Sequence, residues 1–373
     1  MDASTSSQTS THFPLSPLPA SVLAAREVER RNAVRQLGPC RSGCGELDDH
    51  VLLSGGFERG CVVGVSAEDD GMGLALGLQV LSRELLDSPS GKALLVTPRP
   101  AAEALRSLRD SLGAQMPAGD VKACLDRVML SCVFDMDGLW EVLSDLDQVR
   151  GGDGQEEEEE PEPEPGSRSP PSIILITHFS ALLAALFTQR AREAAHGALA
   201  LLAAHLRHLS RSLASHPLVV ILNSVAGAQQ QQQQQQHKKR HGKKAGLDRS
   251  LQSIFDSPPL HIPGYKASSG ALRRAKKPSF GLVFTQLLDL HLLCSRVART
   301  RDDAEMSVAA GEREGEGDGD GDGDGNRRAR FVTVVEVLMD DMGLWQGKRG
   351  PRPSREQRWT AVDVVSGRIR CAM

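Results

Sequence analysis

The sequence predicts an α/β fold: a doubly wound, mostly parallel sheet with antiparallel strands at its C-terminal edge, interrupted by disordered insertions. Three observations predict it. Short apolar runs that read as buried strands alternate with runs of helical period. Near the C-terminus two apolar runs follow one another with only a turn region between them, as antiparallel neighbours do. Hydrophobic residues make up 40% of the chain but aromatics only 3%, so Leu, Val, Ile and Ala must fill the core, as in helix-covered parallel sheets.

The elements run as follows. Cys61–Ser66 (CVVGVS) reads as the first strand, then comes a loop of Gly and acids, then Leu74–Leu86 with helical periodicity. Ala93–Thr97 is a second strand, stopped by Pro98 and Pro100. A helix over roughly Ala101–Leu112, a strand at Val128–Val133 and an amphipathic Gly138–Val149 follow. Ser172–Ile176 is a strand, 180–214 holds one or two Ala/Leu-rich helices, and Leu218–Asn223 is a further strand. Leu282–Ser295 resumes alternating apolar order. Phe331–Met339, a turn near Trp345–Pro353, and Trp359–Val365 supply the antiparallel edge.

The 373 residues exceed one average domain, but the excess is low in complexity. The sequence therefore places a single core at 39–366, after a disordered, partly helical N-terminal tail (1–38) and before a short tail at 367–373. Three insertions interrupt the core. The first, 151–171, is acidic and Pro-rich; the second, 228–279, holds eight consecutive glutamines (229–236) and the basic run HKKRHGKK (237–244); the third, 301–328, is an acidic Gly/Asp repeat. The Asp318, Asp320, Asp322, Gly323 spacing begins like a calcium loop, but Ala329 stands where its twelfth ligand must be Glu, so it reads as an acidic linker.

Seven scattered cysteines without a paired CxxC point to reduced thiols, and Cys40 with Cys44 lacks the second Cys/His pair of a structural zinc site. No metal is expected. No stretch approaches the length of a membrane span, and the N-terminus lacks the basic and apolar regions of a signal peptide, so an intracellular chain without a membrane partner is expected. The net charge of −4 conceals a segregation: residues 151–167 hold eight acids and no base, and 302–325 hold ten acids and one base. Setting those segments aside leaves the remainder at +13, which favours a polyanionic partner.

The stretch Ser42–Ser66, SGCGELDDHVLLSGGFERGCVVGVS, resembles the entry to the ATPase core of the RecA/recombinase family and its eukaryotic paralogs, through Gly43, Leu47, Asp48, Gly55, Gly56 and Gly60. The order of LDRVMLSCVFDMDGLWEVLSDL (125–146), the strand and helix at 172–186, LVVILNSVAG, and SFGLVFTQLLDLHLLCSR (279–296) extends the resemblance over about 40–365. The resemblance implies a RecA-like fold and a phosphate-binding loop of the form G-x-x-x-x-G-K-[ST]. The aligned residues are Ala67, Glu68, Asp69, Asp70, Gly71, Met72, Gly73 and Leu74, which puts Gly73 in place of the Lys and Leu74 in place of the hydroxyl. No shift of register helps, because the first lysine of the chain is Lys92.

Two further parts of the family's machinery are absent by the same alignment. The metal-holding Asp falls on Thr177, followed by His178, a residue more often satisfied locally than used as a ligand. The catalytic carboxylate falls near Arg99, with Glu103 the nearest acid one helical turn on. The resemblance thus implies a degenerate nucleotide site with no bound cofactor.

In the family, DNA lies against loops leaving the carboxyl edge of the sheet, and the second such loop is replaced here by the basic stretch after LVVILN. Lys238, Lys239, Arg240, Lys243, Lys244, Arg273, Arg274, Lys276 and Lys277 are the candidate phosphate contacts. The same run also reads as a nuclear localisation signal alone, the more frequent role of such a run, so the nucleus is the expected compartment. The implied function is a non-catalytic recombinase paralog in homologous recombination and DNA repair, a mediator or scaffold for single-stranded DNA and for other paralogs or the recombinase itself. The alternatives are an ATP-binding, DNA-dependent ATPase of the same superfamily, for which ATP and Mg²⁺ would be cofactors, and a RecA-like interaction module that does not touch DNA.

Overall fold

The computed structural model describes residues 18–148, 169–225, 251–255, 276–306, 330–342, 352–365 and 367–372. The chain divides into two units at Gly38. The first contains helix α1 (Ala20–Leu37), in which the Glu27 carboxylate pairs with Arg30 at 2.8 Å and Arg31 at 2.6 Å. These two guanidiniums hold the Glu27 carboxyl down at about 2.

The second unit begins with a π-helical turn, Leu47–Val51, and is built on nine strands. In chain order these are β1 (Val62–Ala67), β2 (Ala93–Thr97), β3 (Val128–Cys132), β4 (Ile173–Ile176), β5 (Leu218–Ser224), β6 (Leu290–Ala298), β7 (Phe331–Asp340), β8 (Trp359–Val365) and β9 (Arg368–Cys371). The helices are α2 (Asp70–Asp87), α3 (Ala101–Gly113), α4 (Ala118–Leu125), α5 (Met136–Gln148), α6 (Phe179–Gln189), α7 (Arg192–Ser212) and α8 (Gly281–Thr285).

The strands lie in the order β3-β2-β4-β5-β1-β6-β7-β8-β9. All pairs from β3 to β6 are parallel, and the pairs from β6 to β9 are antiparallel. This is the doubly wound sheet with an antiparallel C-terminal edge that the sequence predicts. β1 stands between β5 and β6 while the next strand, β2, lies two places beyond β5. The chain therefore reverses direction around the carboxyl ends of the central strands, where ligand sites form in such sheets.

Strand alternation decides which face each side chain serves. Val63, Val65, Leu95, Leu175, Val220 and Leu222 pack under α2, α3 and α4, whereas Val62, Leu94, Val96, Ile174, Ile176, Val219 and Ile221 pack under α5 to α8. Because both faces are covered, these strands are apolar throughout and not alternating. α2 sits close on the sheet at Gly77, where a Cβ would lie 2.8 Å from Leu175 Cδ1. One buried ion pair locks its C-terminal half: Arg59 Nη2 contacts both Glu84 oxygens at 2.8 and 2.7 Å, and the two side chains are 7% and 2% exposed.

The structure revises four boundaries. Residues 367–373 are not simply a tail: Arg368–Cys371 form β9, because Ile369 buries its side chain while the flanking backbone pairs with β8. Leu282–Ser295 is not one alternating stretch but the short helix α8 followed by β6. The second insertion is not irregular throughout, since Leu251–Phe255 and Pro278–Ser279 are bonded to the core. The third begins later than residue 301, because 301–306 are helical and Asp303 accepts from the Arg330 amide at 2.9 Å. Helix α4, for which no element was expected, is a single short stretch after Pro117, below the length that periodicity resolves.

Candidate functional site at the carboxyl edge of the sheet

β1 ends at Ala67 and α2 begins at Asp70, so only Glu68 and Asp69 join them. A phosphate loop needs a longer arch whose free backbone amides face the ligand. Here the Gly71 and Gly73 amides are engaged. Asp69 caps α2, its Oδ1 accepting from the Gly71 amide at 2.9 Å, and the Gly73 amide donates to the Asp69 carbonyl at 3.1 Å. The positive end of the α2 dipole thus meets a carboxylate of its own chain.

Glu68 is equally occupied. Its amide donates to the Cys294 carbonyl at 2.9 Å, and its Oε2 accepts from the Arg296 amide at 2.7 Å and pairs with Lys276 Nζ at 2.8 Å. The Arg296 guanidinium lies over the Phe331 ring, 4.6 Å from its centroid. The end of β1, the end of β6 and the return limb of the second insertion therefore converge on one carboxylate.

The position aligned with the missing Lys lies inside the fold, and the one aligned with the hydroxyl is half-buried. Gly73 and Met72 are buried, and a Cβ on Gly73 would come within 3.0 Å of the Ala67 Cβ. Leu74, in the first turns of α2, is half-buried and packs against the core.

The β4 and β2 ends bring the other aligned positions together. Thr177 is 1% exposed, donates its amide to the Val96 carbonyl at 2.9 Å, and has its hydroxyl 3.1 Å from His178 Nδ1. His178 holds φ 50°, ψ 38°, a left-handed conformation that costs a non-glycine residue of order 1 kcal/mol. Burial, reinforced by the charge of Arg99, pushes the His178 imidazole below its usual range, while Asp70 and Glu103 pull it the other way. Arg99, Glu103, Asp70 and His178 thus share one electrostatic neighbourhood although they come from three separate strand ends. Among the described residues no group of three or more His, Cys, Asp or Glu could hold a metal ion.

Beneath this edge runs a polar network that sequence reasoning missed. His291 Nε2 lies 2.9 Å from Ser66 Oγ, Asn223 Nδ2 donates to Ser66 Oγ at 3.2 Å and to the Ser279 carbonyl at 3.0 Å, and Ser224 Oγ lies 3.1 Å from Ser279 Oγ. Ser279 also donates its amide to the Ser224 carbonyl at 2.9 Å, and Val225 bridges Pro278. The two ends of the second insertion are thereby clamped together. A polar residue inside each of three apolar strands was the available signal, but pairing them needs the strand order.

Of the expected DNA contacts, Lys276 is held by Glu68 and by the Arg296 carbonyl, and Lys277 follows it. Lys238, Lys239, Arg240, Lys243, Lys244, Arg273 and Arg274 lie outside the described residues, as does the Asp318–Gly323 repeat. Cys40 and Cys44 are buried, and burial raises both thiols. Among the described residues no helix is long and apolar enough to cross a membrane.

No protein-family model matches the chain, and no curated protein matches it in sequence. Among solved structures it is similar to one described as "Crystal structure of the RadB recombinase", at 11% identity and a TM-score of 0.47, over 90% of this chain and 100% of that one. The strand order itself sets the class: an α/β domain with a mostly parallel sheet and an antiparallel edge.

Proposed function

We propose that this chain is a non-catalytic recombinase paralog of homologous recombination and DNA repair: a nuclear mediator or scaffold that holds single-stranded DNA and partner paralogs and does not hydrolyse ATP. The observation that carries the reading is the two-residue turn Glu68–Asp69, which lacks the phosphate-loop lysine and whose carboxylates are engaged by the Gly71 and Arg296 amides and by Lys276. A phosphate charge about 4 Å from one such carboxylate is repelled by roughly 4 kcal/mol at an effective dielectric constant near 20. Glu68, Asp69 and Asp70 present three of them in succession. The charge of +13 outside the two acidic segments supports a polyanionic partner, and the second insertion, which carries the basic run, leaves and rejoins the core at the carboxyl edge. A protein partner is supported by β3, the outermost strand among the described residues, where Met129 and Cys132 are exposed, and by Phe134 just after it, 86% exposed. An open edge strand is a template for another chain.

The test is ATP turnover and equilibrium ATP binding by the purified full chain, with and without oligothymidylate, together with oligothymidylate binding followed by fluorescence anisotropy. The expected outcome is no hydrolysis above background and salt-dependent DNA binding. Turnover abolished by substituting Gly71 or Gly73 would establish the ATPase alternative instead. Absence of DNA binding, with recombinase subunits still co-purifying, would establish the interaction module.

A further inference from the structure

A cavity lies at the amino ends of β1 and β6, the edge of the sheet opposite the Glu68–Asp69 turn. Its walls include Leu53 and Glu58 from the loop before β1, Leu290 at the start of β6, Asp340 at the end of β7, and Arg352 and Arg358. Its volume is about 30 Å³, where one water takes roughly 10–15 Å³. Arg358 is 3% exposed; its Nε donates to the Val51 carbonyl at 3.0 Å and its Nη1 to one Asp340 oxygen. Arg352 donates through Nη1 to the other Asp340 oxygen. Arg352 Nε is buried and meets no acceptor among the described residues, and Arg358 Nη2 meets none there either. Each guanidinium carries five N–H groups, so one carboxylate and one carbonyl leave donors over, and a buried donor in a folded chain calls for a water or a ligand. The loop that forms the facing wall is strained. Leu53 holds φ 69°, a left-handed conformation that a bulky side chain rarely adopts. Hydrogen bonds fix it there, from the Leu52 amide to the Leu47 carbonyl at 3.0 Å and from the Gly55 amide to the Asp48 carbonyl at 3.1 Å. Backbone strain of this kind collects at ligand clamps.

We propose that this cavity is a binding site for a small oxyanion, with inorganic phosphate as the simplest member of the class, taken by Arg352 Nε and Arg358 Nη2, and that Asp340 is the positioning residue for both guanidiniums. The groups left over are donors, so the ligand must bring acceptors. An apolar ligand would leave the N–H groups unpaired, and two guanidiniums repel a cation. A phosphate or carboxylate presents two or more oxygens to the two planar forks, the geometry that guanidinium matches. Asp340 offsets one of the two positive charges, and Glu58 adds a second carboxylate to the lining, so the attraction rests on hydrogen bonds to the two guanidiniums more than on net charge. The size admits an oxyanion group and not a nucleoside. The site stands apart from the β1–α2 turn, so it is independent of the proposed function.

The experiment titrates the purified full chain with sodium phosphate, and separately with sodium acetate, against sodium chloride at equal ionic strength, reading the thermal midpoint and the Arg352 Nε–H resonance by NMR. The midpoint should rise with phosphate along a saturable curve, as it does for any ligand that binds only the folded state, and the Arg352 resonance should shift with the same dissociation constant. Arg352→Met removes the Nε donor and should weaken phosphate at least about tenfold. Arg352→Lys keeps the charge and an Asp340 partner but loses the planar fork, so it decides the matter if the first variant fails to fold; it too should weaken phosphate about tenfold. A saturable response to phosphate or to acetate, lost in Arg352→Lys, establishes the oxyanion site. An equal response to chloride, no response to either oxyanion, or wild-type affinity in Arg352→Lys would overturn it and leave the cavity to water.

Discussion

His291 offers a measurable link between burial and pH. The imidazole is 0% exposed, flanked by Ser66 Oγ at 2.9 Å and Thr285 Oγ1 at 3.4 Å, and edge-on to Phe284 at 5.2 Å. Burial pushes its pKa from 6.5 down to about 3, so the folded chain keeps it neutral where the unfolded chain protonates it. Above about pH 6.5 both states hold the neutral ring and stability is unaffected. Below it the unfolded state binds the extra proton, and stability falls until the pH reaches the folded value near 3. At about 1.4 kcal/mol per unit, the loss is about 2 kcal/mol at pH 5 and approaches 5 kcal/mol near pH 3. His291→Gln retains a donor and an acceptor but does not titrate. Urea unfolding of both proteins at pH 7.5 and 5.0 should show the wild type losing about 2 kcal/mol more than the variant, since the carboxylates are common to both. Equal losses would refute the assignment of a neutral buried ring.

Four other outcomes follow from named residues. Glu84→Ala leaves the Arg59 guanidinium buried without its bidentate partner and should cost about 3–5 kcal/mol in denaturant melts, whereas Arg59→Met with Glu84→Leu should recover most of it. Gly64→Ala, whose Cβ would lie 2.3 Å from Leu288 Cδ1 and 2.9 Å from the Phe284 ring, should cost about 1–3 kcal/mol, read as a lower thermal midpoint. Deleting 152–168 and 307–325 should leave the unfolding transition cooperative and its midpoint within a few degrees, because these polar segments have little apolar surface to bury. Changing Lys238, Lys239, Arg240, Lys243, Lys244, Arg273 and Arg274 to Ala in groups, with an independent nuclear import signal added, should lower the log–log salt slope of single-strand binding by roughly 0.7 for each phosphate that is no longer neutralised.

The fold was legible where period and length agreed. β1, β2, β4 and β5 are short, mainly apolar runs bounded by polar or breaking residues, and their parallel pairing follows from the helices between them. β9 escaped notice because one apolar residue, Ile369, between two arginines carries no period, and α8 because five residues fit a strand as well as a helix. At the site, the missing Lys and hydroxyl were plain in the residues themselves. The length of the β1–α2 turn was not, since DDGMGL reads as loop until Asp69 is seen to cap the helix. Nor could Glu336 be paired with Ser253 and Ile254, which are more than 80 residues away in sequence.

A common physical pattern joins these sites. Where the strand ends of a doubly wound sheet expose amides and a helix dipole, an anion is needed, and this chain supplies it covalently through Asp69 at α2 and Glu68 at β6 and Lys276. A carboxylate fixed in sequence is always present, unlike a ligand, so the hydrogen bonds it accepts do not cycle with nucleotide. The return limb of the second insertion is held at Lys276 by one such carboxylate, and the segment Leu251–Phe255 by another, Glu336. In the scaffold reading these contacts are therefore made with or without nucleotide, and the affinity for DNA should be the same with and without ATP. A nucleotide-dependent change in oligothymidylate affinity, with Glu68 and Asp69 intact, would contradict that conclusion directly.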